Sequence, residues 1–155
     1  MNQQLDWRKI GLLFVAVVGS GYAVTSKLNF TLPEMPTPSA VPIPTPSANY
    51  KSAVQPLVTA KATNLRAAAV VGDFLASYAF ILENSEVHDS YNSSALTHNI
   101  EDGLESMFVL QKEVGDVDIG DALNQSLQTI WGDQTRQLTK EEASKGIYAC
   151  AWALR

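Results

Sequence analysis

The side chains best suited to chemistry are few and poorly spaced for it. Histidine occurs twice, at His88 and His98, and cysteine once, at Cys150. Glu86-Val87-His88-Asp89 and His98-Asn99-Ile100-Glu101 each bring imidazole and carboxylate together, the donor types of a divalent-metal site. Neither spacing reproduces HExxH, which sets two imidazoles on one helix face with a Glu between them. The expectation is two solvated histidines. Asp116-Val117-Asp118-Ile119-Gly120-Asp121 resembles the start of a calcium loop, but its twelfth position is Leu127 instead of a bidentate Glu. These aspartates are better read as helix caps.

Nucleophilic catalysis needs a base beside a Ser or Cys. Cys150 lies in an apolar helical run with no such neighbour, and a GxSxG turn is absent from the sequence. A lone Cys there reads as a small core hydrophobe. Between Glu83 and Asp121 stand ten carboxylates and one cation, Lys112. Two such acids leave open a small envelope-acting hydrolase of glycoside type. No catalytic, cofactor-binding or metal-ligating residue is assigned, and no cofactor is expected. Asn29-Phe30-Thr31, Asn92-Ser93-Ser94 and Asn124-Gln125-Ser126 match the glycan-acceptor pattern, which carries little weight by itself.

Any such residue would be positioned by a chain of three unlike parts. All seven prolines fall between Pro33 and Pro56, and the 99 residues after them contain none. Residues 1–27 carry a net charge of +2, residues 28–56 are neutral and residues 57–155 carry −7. The layout is anchor, spacer and payload. An acidic payload argues against nucleic acid as a partner, because phosphate contacts need clustered Lys and Arg. The bland function of its carboxylates is solubility; the alternative is an acidic patch for a basic protein.

Residues 10–26 are uncharged and lie between Lys9 and Lys27. As a helix they span about 25 Å, against a hydrocarbon core of about 30 Å. Ile10, Leu12, Leu13, Phe14, Val15, Val17 and Val18 supply the apolar surface. Trp7 and Tyr22 suit the two interfaces, and Arg8, Lys9 and Lys27 can snorkel to the headgroups. The excess of positive charge before the segment predicts a cytoplasmic N-terminus and a payload across the membrane. The competing reading is a cleaved signal peptide, with Gly21-Tyr22-Ala23 as the small-residue cleavage site. Ala16 with Ser20, and Gly19 with Ala23, place small residues four apart, a spacing that lets membrane helices approach and leaves room for a homo-oligomer. Small residues are also common in membrane helices in general.

Residues 28–56 form the spacer. The pentapeptide PTPSA occurs at Pro36–Ala40 and Pro44–Ala48. Proline fixes φ and removes an amide donor, so polyproline II is expected at about 3.1 Å per residue. Reach is preferred over recognition by a proline-binding groove, because no Lys or Arg closely flanks the PxxP-like spacings.

Residues 57–155 show helical periodicity. A long first helix runs through Leu57 and Leu65 to Leu82, with Ala67, Val70, Val71, Phe74, Tyr78, Ile81 and Leu82 on one face. Asp73 near its centre favours a core helix over a second membrane span. Residues 83–94 read as a loop. A second helix is expected over 95–113. A third follows Asp116 or Asp118 and ends at Gly132, and a fourth starts at the capping box Thr139-Lys140-Glu141-Glu142. No stretch alternates as a strand. The fold class is therefore all-α: a small four-helix bundle-like domain after one N-terminal transmembrane helix and a Pro-rich extended linker. The function expected is a membrane-anchored structural or interaction protein. It would present its helical domain to another protein on the non-cytoplasmic side, in a virion membrane, a secretion machine or a cell-envelope complex. A secreted helical binding module is the alternative.

Overall fold

The computed structural model describes residues 41–86, 90–111 and 117–155. The expected membrane segment, with all its anchor and helix-contact residues from Trp7 to Lys27, lies outside the described residues. So do the first part of the spacer, His88 and Asp116. Of the described residues 78% are helical, which makes the domain all-α in class. The described residues form six helices and a small antiparallel ribbon in place of the four helices expected.

The two additional helices come from the stretch assigned to spacer and to the head of the first helix. Residues 41–47 form a non-helical strap in which Val41 is buried and Ile43 packs against the core. Helix α1 then spans Ala48–Ala53 and α2 spans Gln55–Thr63. Extended spacer therefore does not continue to residue 56. Pro46 is the last proline that excludes helix, whereas Pro56 sits in the first turn of α2, where its missing N–H is not needed. Val54 (φ −92°, ψ 8°) joins α1 to α2 with its side chain fully buried.

The long first helix is broken at Asn64. Its backbone turns extended (φ −148°, ψ 88°), and its Oδ1 accepts a 3.0 Å bond from the Ala67 amide. Asn competes well for an N-cap, so helix ends and restarts there. Helix α3, Leu65–Asn84, is long and apolar enough to cross a membrane. Ten of its residues are buried in the domain, on most of its circumference, as befits a central core helix.

Strand β1, Ser90–Asn92, emerges within the expected loop and pairs antiparallel with β2, Gln137–Thr139. Three residues are too few to show alternation in sequence. Tyr91 faces the fully buried Leu138 across the ribbon. Helix α4, Ser93–Gln111, starts directly from β1, with Asn92 Oδ1 accepting from the Ala95 amide at 3.0 Å. Helix α5 spans Val117–Trp131 with Asp118 in its first turn, where a carboxylate complements the helix dipole. Gly132 ends it at φ 73°, a left-handed geometry that favours glycine.

Helix α6, Lys140–Leu154, begins with the expected box. Thr139 Oγ1 accepts from the Glu142 amide at 3.1 Å, and Glu142 Oε2 accepts from the Thr139 amide at 3.0 Å. Helices α3 and α6 make the largest interface, running antiparallel with small residues on both sides. A Cβ on Gly72 would come within 2.9 Å of Arg155 Cγ and 3.2 Å of Leu154 Cβ. Ile147, Cys150, Ala151 and Leu154, spaced at helical period along α6, are all buried here.

Candidate functional site

The chemistry-bearing residues are dispersed. Cys150 is fully buried, and burial pushes its thiol pKa up, away from the thiolate a nucleophile needs. His98 is exposed on α4, 3.8 Å from Glu101 and 3.6 Å from Asp102, one helical turn along. Among the described residues no three His, Cys, Asp or Glu side chains gather as a metal site. Asp118 lies in the first turn of α5 and Asp121 one turn further along the same helix. The exposed carboxylates Glu101, Asp102 and Glu105 lie on α4, joined to α5 through the 3.1 Å bond from Asn124 Nδ2 to Glu101.

Neither described acceptor pattern presents a free asparagine. Asn92 caps α4, while its neighbour Ser93 is buried and donates to the Asp133 and Gln134 carbonyls at 3.0 and 2.7 Å. Asn124 is held within α5 by Glu101 and by Gln128 Nε2 at 2.7 Å, and Ser126 is fully buried.

The more telling polar contacts were invisible to local spacing. At one end of the α3–α6 pair, Tyr148 donates to Glu83 at 3.1 Å. Its pKa is pushed up to about 12, by burial first and then by Glu83. Lys140 reaches the Ser85 carbonyl beside it. At the other end, Arg155 Nε meets Asp73 Oδ1 at 3.1 Å, and its Nη1 donates to the Val41 carbonyl at 3.1 Å. A single guanidinium thus binds the strap to the centre of α3. Asp73, read from sequence as an argument against a second span, is this residue's partner. A charge inside an apolar helix was the only available signal, and it did not name Arg155.

Four large apolar side chains are exposed among the described residues: Val58, Leu65, Phe80 and Val109. Leu65 is 67% exposed at the α2–α3 elbow, close in sequence to Val58 and flanked by Lys61 and the exposed Arg66. Comparison of the chain with family models, characterised proteins and solved structures finds no match.

Proposed function

We propose that this protein is a membrane-anchored structural or interaction protein that holds a small helical domain on the non-cytoplasmic side of a membrane. The observation that carries this reading is the run of 17 uncharged residues between Lys9 and Lys27, with the proline tract beginning at Pro33. Its flanking charges set the orientation. At polyproline II rise the residues from Lys27 to Val41 would reach about 40 Å as a leash. The domain at its end is closely packed and acidic, which favours a soluble head that docks other proteins. A virion membrane, a secretion machine or a cell-envelope complex would each suit such a head on a stalk.

Alkaline extraction of native membranes tests the anchor: the chain is expected to stay in the pellet. Intact mass of the mature protein tests it independently. A product lacking Met1–Ala23 would replace the anchor with a secreted binding module, the reading that Gly21-Tyr22-Ala23 supports. Crosslinking in the native membrane, followed by mass spectrometry, identifies the partner of the helical head.

A further inference from the structure

Helix α3 buries most of its circumference, but one stripe stays open to solvent. Ala69 and Phe80 are exposed, and Val70, Asp73, Ser77 and Ile81 are half-buried. Val70, Asp73, Ser77 and Phe80 recur at steps of three and four, the spacing of a helix–helix seam, with Ala69 and Ile81 beside them. Phe80 is 41% exposed, a large ring to leave in water.

Charge singles out this stripe. Between Arg66 and Glu83 the one charged side chain of α3 is Asp73, and Arg155 neutralises it at 3.1 Å. The other long helices expose carboxylates: Glu101, Asp102 and Glu105 on α4, Asp121 on α5 and Glu141 on α6. Residues 57–155 carry −7, so two copies repel one another where those helices meet. At the α3 stripe they approach without that cost.

The stripe is also complementary to itself. Turned antiparallel about Leu75, it sets Asp73 opposite Ser77 and Val70 opposite Phe80. The ring of Phe80 from one copy then enters the gap framed by Ala69, Val70 and Asp73 of the other. Symmetry repeats that fit at the far end. Large matched to small about a centre is what a twofold interface requires, since i meets j and j meets i. A parallel pairing would set Phe80 against Phe80 and Ala69 against Ala69.

We infer that the open face of α3 is the contact surface of a homodimer, formed with a second copy of this chain by antiparallel pairing of the 69–81 stripes. A seam about 18 Å long falls short of the roughly 1,200 Å² of a stable complex, so free copies pair weakly. The affinity, unlike the register, rests on the anchored reading above: copies held in one membrane meet at a raised effective concentration. A twofold axis keeps the two Val41 attachment points at one height along it, as two anchors in one bilayer require.

The test uses the full chain in a Cys150→Ala background, reconstituted in vesicles. One batch carries Ala69→Cys and a second, with a different tag, carries Ile81→Cys. Thr129→Cys, at an exposed position of α5, controls for random collision. The batches are mixed and treated with a short bismaleimide, and flotation reports the anchor. The register places position 69 beside position 81 of the other copy, with like positions roughly 18 Å apart along the helix. The expected result is flotation with crosslinks between positions 69 and 81, and none between like positions or at 129. Phe80→Ser and, independently, Ser77→Glu, which sets a second carboxylate against Asp73, should each lower the crosslink yield at least roughly 10-fold. An unchanged yield overturns the pairing, as do crosslinks between like positions that match the 69-to-81 yield. Flotation without crosslinks overturns the pairing and leaves the anchor standing; the stripe then belongs to a different protein or to another segment of the chain. Crosslinks between 69 and 81 without flotation uphold the pairing and overturn the anchor. Loss of both overturns the two together.

Discussion

Ser126 and Ser144 bury their hydroxyls without a hydrogen-bond partner, as Trp131 does its indole N–H. An unpaired buried hydroxyl costs about 1–3 kcal/mol of desolvation. Ser144→Ala keeps the small volume that the α3–α6 contact requires and removes that penalty. It is expected to stabilise the domain by about 1 kcal/mol in urea unfolding. Thr139 is the opposite case, since its hydroxyl accepts from the Glu142 amide at 3.1 Å. Thr139→Ala should cost about 1 kcal/mol. The reciprocal half of that box is pH-dependent. Glu142 titrates below its ordinary value of 4.5 because the Thr139 amide, then Arg136, favour the carboxylate. A depressed folded pKa contributes stability that is present above the ordinary value and lost as pH falls through the folded one. The stability difference between the parent and Glu142→Gln should therefore shrink in denaturation curves taken from pH 6 down into the acid range. This box was legible in the sequence because both partners lie within four residues. Arg155, Asp73 and Val41 were not, since only the folded chain brings positions so far apart into contact.

Helix packing here is set by glycine and alanine as much as by large apolar residues. A Cβ on Gly146 would lie 2.6 Å from Trp131 Nε1 and 3.2 Å from Ile130 Cγ2, the α5 side chains across the interface. Gly146→Ala should force those groups apart and cost about 1–3 kcal/mol. At Gly120, on α5, an added Cβ meets nothing within 4 Å. Gly120→Ala should instead gain about 0.5–1 kcal/mol through helix propensity. The two substitutions differ in sign, and paired urea melts decide the matter. Helical periodicity located the cores of α3 to α6 and their buried faces, because each repeats an apolar stripe over several turns. It missed α1, six residues long beside the proline tract, and ran α2 into the long first helix. The Asn64 break was missed as well, since one polar residue barely interrupts a long apolar run. The ribbon was hidden for a related reason: its geometry follows from the Asp133–Arg136 turn and buried Ser93, not from alternation in three residues.

At the scale of the whole molecule, the strap belongs to the folded domain and not to the leash. Its attachment is Val41, Ile43 and the Arg155 guanidinium. Arg155→Ala should raise hydrogen exchange across residues 41–47 while leaving α3 and α6 protected, as read by mass spectrometry of peptide fragments. Unchanged exchange would show that apolar packing alone retains the strap. The position of this attachment also has a mechanical consequence. On the proposed anchoring, tension between a membrane and a bound partner would enter the domain at Val41, at a guanidinium contact, before it reached any helix. The strap and then α1 would peel in sequence under small loads, lengthening the connection by tens of ångströms, while the small-residue seam stayed closed. Such a domain would behave as an extensible coupling between two bodies that move relative to one another.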